Sequence, residues 1–447
     1  MKFGFIENRY KTIFWNAVAE YFISEGHSIC WLVQNPIFSP TVGNTFVIPF
    51  PGKKQLSECG GLSLENFENV KSGDRYINYF GGNDRHYQYY ISEIRYWLDR
   101  EKPDVVIGES TLFHELLTIE ECRARGIPFF HPSMPGYPGG RYSIYAYDSK
   151  EPLGESDDMP SDEFCFALAE AIRKRERIPE YMIPPIDKDP ERIYPLPNSF
   201  MNRITVLWGY LRGERFNTPS PLRKWICDRK VKNNLYRWQR ISKDIVPIPG
   251  KNYVLYPMQM QPEANLDVWG KAYRDQTELI SEIANSLPHG WTLLVKANPK
   301  AKYEIDSNLI ELLNSHPKVL PIPLNSSMAD VFEHVDLVIT VTGTVATECV
   351  LSKKPVIQFG PGIVQNRVGC VNPVTTNDID TIIQLIEAGE FSTANDSERV
   401  ELVRLLYQTT FSGKVSDPAT LPSVMSKDNV TKVASSILKV AAQQQCG

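Results

Sequence analysis

The chain has 447 residues, of which 42% are hydrophobic and 23% charged, and its formal net charge is −5. This length exceeds one ordinary hydrophobic core, so two domains are expected, and the composition is that of a globular protein. The acidic balance argues against wholesale binding to nucleic acid. No apolar run resembles a signal peptide or approaches the ~18 residues that span a bilayer, so we predict a cytoplasmic protein.

The first part of the chain alternates strand and helix patterns. Strands are predicted at 2–6, 28–33 and 104–107, with a helical pattern between each pair of them. Such alternation is typical of a doubly wound, mostly parallel sheet. Residues 1–150 are therefore predicted to form a Rossmann-like domain.

Polar residues follow two strands of this domain. The residue Glu109 comes directly after strand 104–107. A loop rich in glycine and proline is predicted to contain His131-Pro132 and the run from Pro135 to Arg141. Binding residues in open α/β sheets lie at the carboxyl ends of the strands. A structural turn explains a loop of this composition equally well, so both interpretations stay open.

The middle of the chain, residues 151–245, differs in composition and is predicted to be a helical insertion or connector. A proline-dense run follows a helix predicted at 162–174. In the stretch 201–243, eleven basic residues face two acidic ones, a net charge of +9, and tryptophan and tyrosine are interleaved. Such helices suit an anionic membrane surface, glycan or nucleic acid. The alternative is a solvated face whose aromatic side chains pack inward.

Residues 246–390 repeat the strand–helix alternation and are predicted to be a second Rossmann-like domain. A strand at 253–257, a helix at 272–287 and a strand at 291–295 form a βαβ unit. Residues 391–447 are predicted to be C-terminal helices.

A turn between a strand and a helix offers an anion site in this second domain. In Thr342-Gly343-Thr344 the glycine allows close approach of the backbone, and the following helix N-terminus offers free N–H groups. Glu348, one turn into the helix, would hold a ribose diol or complement the helix dipole. The motif matches neither the Walker A loop nor GxGxxG.

Two acidic residues and a lysine lie in the loops that follow strands. Glu263 and Asp267 are candidates for a general acid or base, or for a nucleophile at a sugar anomeric carbon. The alternative is a solvated or helix-capping role, with Asp267 capping the next helix. Lys296, beside Asn298, is suited to neutralise a phosphate. Asp378-Ile379-Asp380 opens a helix and is better explained by capping, so no metal or other cofactor is predicted.

Together these motifs resemble the bacterial capsule and surface-polysaccharide glycosyltransferases of GT-B fold, nearest to the retaining β-Kdo transferase group that uses CMP-Kdo. The resemblance extends over roughly 253–362 and is patchy over 1–150. It rests on the following segments: Gln259–Glu263, Tyr273–Gln276, Leu287–Trp291, Val295-Lys296, Thr342–Thr344 with Glu348, Lys354–Gly360, Arg125–Pro128 and Pro138–Arg141.

The resemblance implies an α/β, GT-B-like fold, with two Rossmann-like domains facing across a cleft, a helical insertion and C-terminal helices. It implies a nucleotide-sugar donor in the C-terminal domain, with a catalytic carboxylate in the loop of Glu263. The donor-binding residues would be Gln259, Gln261, Lys296, Asn298, Thr342, Gly343, Thr344 and Glu348. The acceptor-binding residues would be Glu109, His131 and Arg141.

Two positions depart from the family pattern. The family usually has His-Pro where this chain has Asn298-Pro299, and asparagine cannot protonate a leaving group or carry charge. The Kdo transferases also favour aspartate at the position of Glu263. The function expected is transfer of a sugar, Kdo or a related acid sugar from a CMP donor, to a capsule or lipopolysaccharide-type glycan at the inner membrane face. The alternatives are a nucleotide-sugar epimerase and a non-catalytic relic that binds glycan.

Overall fold

A computed structural model describes residues 1–58, 67–179, 182, 200–212, 214–245, 250–373 and 375–446. Most of the proline-dense run expected after the helix at 162–174 lies outside these ranges. The chain packs as two compact units. The N-terminal unit comprises Met1–Met159, Pro179–Arg223 and Tyr407–Gly447, and the C-terminal unit comprises Pro160–Ile178 and Lys224–Leu406.

The strands of the described residues are numbered β1 to β13 along the chain. They are Lys2–Ile6, Ser28–Val33, Asn44–Val47, Val105–Ile107, Phe129–Ser133, Arg141–Ala146, Asn252–Pro257, Trp291–Lys296, Val319–Pro321, Leu337–Thr340, Val356–Gln358, Cys370–Val371 and Phe411–Ser412.

The α-helices of the same residues are numbered α1 to α16. They are Lys11–Ser24, Lys53–Glu58, Glu68–Gly73, Arg75–Asn78, Arg85–Glu101, Phe113–Arg125, Asp162–Arg173, Phe200–Arg212, Pro221–Ile241, Gln276–Ser286, Ser307–Ser315, Met328–Glu333, Val345–Leu351, Asp378–Glu387, Asp396–Gln408 and Lys427–Cys446. Within the described ranges, no helix has the length and apolar content needed to cross a membrane.

The N-terminal unit is built on a seven-stranded sheet in the order β13-β6-β5-β4-β1-β2-β3. Strands β3, β2, β1, β4 and β5 are parallel, and β6 and β13 extend the β5 edge in antiparallel pairing. The order 3-2-1-4-5 is the doubly wound Rossmann arrangement. The strand order reverses between β1 and β4.

The C-terminal unit is built on a six-stranded parallel sheet in the order β12-β11-β10-β7-β8-β9. Counted from β7, this is the full Rossmann order 3-2-1-4-5-6, with the reversal between β7 and β10. The strands read as apolar runs because helices cover both faces of such a sheet. The predicted fold class, α/β with two Rossmann-like units, is thereby confirmed.

The compact units divide the chain differently from the segments predicted at 1–150, 151–245, 246–390 and 391–447. Helix α7 belongs to the C-terminal unit, where Glu170 accepts from the guanidinium of Arg399 at 2.6 Å. Helix α16 belongs to the N-terminal unit, where Val433, Ile437 and Val440 lie in the same core as β1 and α1. Apolar burial therefore returns the end of the chain to the first sheet.

The basic stretch 201–243 is two helices in different surroundings. Helix α9 packs on the C-terminal unit, where Trp238 is buried and donates to the Ile322 carbonyl at 2.8 Å. Asn234 donates to the Ile305 carbonyl at 2.9 Å. The alternative of inward-packed aromatic side chains thus holds for Trp238, whereas Trp225 and Tyr236 on the same helix are exposed.

Candidate functional site

Polar side chains converge at the carboxyl edge of the C-terminal sheet, where the strand order reverses. Gln259 lies two residues after β7, Thr342 lies two residues after β10, and Lys296 ends β8. β7 pairs with both β8 and β10, so these three positions share one edge. Ligands of open α/β sheets bind at such a reversal point.

Gln259 links the loops that follow β7 and β10. In the amide orientation that satisfies both its oxygen and its nitrogen, the carboxamide oxygen accepts from the backbone N–H groups of Gly343 at 2.9 Å and Thr342 at 3.1 Å. The Thr342 hydroxyl donates to the Asn265 carbonyl at 2.6 Å. Two of the N–H groups predicted to bind phosphate are therefore already bonded within the protein.

A second set of hydrogen bonds fixes the loop after β7. Gln276, the first residue of α10, accepts from the Gln259 N–H at 2.9 Å and donates to the Gln261 side-chain oxygen at 3.1 Å. The Gln261 amide donates to the Asp267 carboxylate at 2.8 Å, and Arg274 Nε donates to the same oxygen at 3.0 Å. Because these groups are mostly buried, the network holds the loop in one conformation.

The two candidate catalytic carboxylates have different surroundings. Asp267 is 2% exposed and forms an ion pair with Arg274. Glu263 is half-buried at the start of the loop, and its carbonyl accepts from the Asp267 N–H at 3.0 Å. The capping role suggested for Asp267 is wrong, because Asp267 lies inside a π-helical turn, Asn265–Trp269, and Asp275 caps α10.

Lys296 is a buried cation without a counter-ion in the described part of the chain. Its side chain is 7% exposed, and it forms neither a hydrogen bond nor an ion pair with any residue that the structure describes. Burial lowers the pKa of its ammonium group. Burying an unpaired charge is unfavourable, so this position favours an anionic ligand.

Asn298 and Glu348, two other predicted donor ligands, make internal contacts. The Asn298 carboxamide oxygen accepts from the Lys300 N–H at 2.8 Å and closes a local turn. The Glu348 carboxylate accepts from Arg175 at 2.8 Å, and the Arg175 guanidinium stacks on Phe332 at 4.5 Å. Glu348 is thus paired with Arg175, which lies in the turn that follows α7. Thr344 stands at the N-cap of α13 without a side-chain capping bond.

Glu304 is a buried acid of this edge that the sequence did not single out. One of its oxygens accepts from the N–H of Gln261 at 3.2 Å and of Lys302 at 2.9 Å. The other oxygen is buried without a hydrogen-bond partner among the described residues. Burial raises the pKa of Glu304 to about 7. Glu304 lies eight residues after the end of β8. A search of the sequence limited to residues next to strand ends therefore does not find it.

The N-terminal unit brings Glu109 and His131 to the carboxyl ends of β4 and β5. Burial raises the pKa of Glu109, but the adjacent Lys11 ammonium and His131 together lower it by more than burial raises it. The net pKa shift of Glu109 is therefore downward. His131 lies within β5 rather than in the loop, and burial lowers its pKa to about 4. An ionised carboxylate and a neutral imidazole therefore share this edge.

Arg141 does not join them. It begins β6, and its guanidinium donates to the Thr410 hydroxyl at 2.8 Å, to the Tyr407 carbonyl at 3.2 Å and to Asp158 at 2.6 Å. It also stacks on the Tyr407 ring at 4.7 Å. These contacts tie the returning C-terminal segment to β6, so Arg141 acts as a structural clamp and not as the predicted acceptor ligand.

Two buried glutamates near the β1–β4 reversal were also missed. Burial, reinforced by the charge of Glu214, raises the pKa of Glu7 to about 7. Burial and the charge of Glu109 raise the pKa of Glu115 to about 7. Glu7 directly follows β1, so the strand-end rule applied to the first strand would have found it.

In the described ranges no three His, Cys, Asp or Glu side chains are grouped as metal ligands would be. Asp378 opens α14 and accepts from the Thr375 N–H at 3.3 Å, while Asp380 accepts from Gln384 at 2.8 Å. Both carboxylates therefore make local helix contacts.

No protein-family profile matches the chain, and no curated protein is similar to it in sequence. Among solved structures, it aligns with the KpsC β-Kdo 2,7 transferase of Thermosulfurimonas dismutans at 11% identity and a TM-score of 0.39, over 99% of this chain and 100% of that one. It aligns with the UDP-GlcNAc 2-epimerase of Neisseria meningitidis at 13% identity and 0.29, over 91% and 98%. It aligns with Acinetobacter baumannii MurG at 12% and 0.28, over 98% and 99%. These likenesses are too weak to carry an argument, so the fold assignment rests on the two Rossmann strand orders.

Proposed function

We propose that this protein is a glycosyltransferase that uses a nucleotide-activated sugar held at the carboxyl edge of the C-terminal sheet. The observation that carries the proposal is the buried Lys296, which has no counter-ion among the described residues, at the carboxyl edge of a complete Rossmann sheet. A nucleotide phosphate would supply the missing negative charge in a partly desolvated position, where a charge-assisted hydrogen bond is strong. The motifs shared with surface-polysaccharide glycosyltransferases agree with this assignment.

Within this site, Glu263 is the carboxylate that we assign to the anomeric carbon. Asp267 is fixed by Arg274 and Gln261, so its role would be to position the loop rather than to react. Glu263 is half-buried, which leaves part of it accessible to a substrate. The side-chain NH2 of Asn298 would complete the phosphate contacts, beside the Thr342–Thr344 turn that Gln259 holds.

The donor that we propose is Kdo or a related acid sugar linked to CMP, and the acceptor is a capsule or lipopolysaccharide-type glycan. Glu109 and His131 are the proposed acceptor residues. A charged carboxylate and a neutral imidazole can both accept hydrogen bonds from sugar hydroxyls at neutral pH. Arg141 is left out because its guanidinium is bonded internally.

A thermal-unfolding screen with CMP, CDP, UDP, GDP, ADP and dTDP tests the proposal. A ligand at ~100 times its dissociation constant stabilises the folded state by roughly 2.7 kcal/mol. We expect CMP to raise the unfolding temperature and Lys296→Met to reduce that rise. A nucleotide sugar converted without any acceptor would show an epimerase instead. No shift with any of the six nucleotides would contradict an enzyme that uses nucleotide sugars.

A further inference from the structure

Helix α8 displays an apolar stripe to solvent. Phe200, Ile204, Leu207, Trp208 and Leu211 follow one another at intervals of three and four residues, so they lie on one face of the helix. Four of them are exposed: Phe200 by 75%, Leu207 by 43%, Trp208 by 53% and Leu211 by 60%. A contiguous apolar stripe exposed on one helix face indicates an interaction surface.

The opposite face of α8 fixes which way the stripe points. Gly209 lies about half a turn away from the centre of the stripe. A Cβ atom at Gly209 would come within 2.8 Å of the Asn35 amide nitrogen and 3.0 Å of a Glu214 carboxylate oxygen. Asn35 and Glu214 are buried and hydrogen-bonded to each other. The glycine face therefore rests against the N-terminal unit, and the stripe is directed outward.

The charges of α8 lie beside the stripe. Arg203 and Arg212 are both exposed, and each is about a quarter turn from its centre, on opposite sides. The helix has no acidic residue, although the whole chain carries a net charge of −5. The Arg212 guanidinium lies 5.9 Å from the Trp208 ring. Arginines in these positions can reach lipid phosphates while the stripe enters the acyl region.

A cavity of about 390 Å³ lies next to the stripe. Pro36 and Ile37 line it from one side, and Ile204 and Trp208 line it from the helix. Ile37 is itself exposed, so the apolar surface continues past the helix. Such an extension suits an acyl chain better than it suits a hydrophilic glycan or nucleic acid.

We propose that α8 is an in-plane membrane anchor that inserts its apolar stripe into an anionic phospholipid bilayer. Its 13 residues span about 20 Å, well short of the roughly 30 Å of a bilayer core, so the helix lies along the surface. The complementary charges are the two flanking arginines and the anionic headgroups. The proposal does not depend on the activity proposed above, because it rests on other residues.

Sedimentation with lipid vesicles tests the anchor. The purified protein is mixed with vesicles of phosphatidylcholine alone or with roughly 30% phosphatidylglycerol. We expect binding to the anionic vesicles that weakens as salt is raised, and little binding to the neutral ones. A variant carrying Leu207→Ser, Trp208→Ser and Leu211→Ser should lose at least about tenfold in partitioning. The matched control Leu385→Ser, at an exposed leucine of α14, should bind like the wild type.

Two further measurements keep the test decisive. Lipids brominated in the acyl region should quench part of the wild-type tryptophan fluorescence, and Trp208→Phe should remove the quenched component. Arg203→Glu with Arg212→Glu should abolish binding while the apolar stripe is intact. The proposal is overturned if the wild type does not bind anionic vesicles or if the triple-serine variant binds them equally well. It is also overturned if that variant only converts a dimer to a monomer, because a second copy would then cover the stripe.

Discussion

Lys296→Met is expected to stabilise the ligand-free protein while weakening its binding of nucleotides. Methionine fills a similar volume without a charge, and the wild-type lysine is 7% exposed with no counter-ion in the described residues. Removing a buried polar group that lacks a partner is worth about 1–3 kcal/mol, so the free energy of unfolding should rise by that amount. The loss of a charge-assisted hydrogen bond to phosphate, also about 1.5–3 kcal/mol, should raise the nucleotide Kd about 10- to 150-fold.

Unfolding temperatures with and without CMP or UDP measure both effects, and calorimetric titration gives the Kd. Lys251→Met is the matched control, because Lys251 is exposed and precedes β7 at the opposite, amino edge of the same sheet. The control should change neither quantity. A Lys296→Met variant that is less stable than wild type and keeps its ligand-induced rise in unfolding temperature would refute the proposal that Lys296 binds an anionic ligand.

Four other substitutions separate the roles assigned above. Glu263→Gln should lower the rate of sugar transfer at least about 100-fold with little change in nucleotide affinity. Asp267→Asn should mainly lower the free energy of unfolding, by about 1–3 kcal/mol. Equal losses of transfer rate in the two variants would contradict a catalytic role for Glu263 and a positioning role for Asp267. Glu304→Gln should become more stable than wild type as pH rises from 4.5 to 7, by up to about 3 kcal/mol, because the pKa of Glu304 is raised to about 7 and folding therefore favours its protonated form. Parallel curves of unfolding free energy against pH for the two proteins would show that Glu304 does not titrate in this way. Arg141→Met should cost about 1–3 kcal/mol in denaturant unfolding, because buried hydrogen-bond acceptors lose their donor, and it should leave the nucleotide Kd unchanged; a large rise in Kd would restore a binding role.

Strand and helix periodicity was sufficient to predict the two Rossmann-like units. The buried strands Lys2–Ile6 and Leu337–Thr340 fall where the apolar runs are, because apolar side chains in a parallel sheet are covered on both faces. Periodicity could not show that α16 completes the first core. That packing depends on contacts between residues more than 400 positions apart, such as the hydrogen bond between Tyr21 and Ser435.

The sequence predicted where the site lies in the sheet, but it did not predict which of the site's side chains are bonded within the protein. Gln259, Lys296 and Thr342 reach one edge because strand ends in a parallel sheet coincide. The sequence could not indicate that Arg141 and Glu348 are bonded internally, since Thr410 and Arg175 lie far from them along the chain. Nor could it show that Lys296 is buried with no counter-ion among the residues that the structure describes, which is a property of tertiary packing.

Hydrogen exchange of the backbone amides, with and without saturating CMP, tests the central claim most directly. The account predicts slower exchange in three segments that surround the strand-order reversal, 257–267, 296–300 and 340–345, because a bound nucleotide would hold these loops closed. The same segments should be less protected in Lys296→Met at the same CMP concentration. Protection confined to other parts of the chain, or none with any nucleotide of the panel, would contradict a nucleotide-sugar site at this edge.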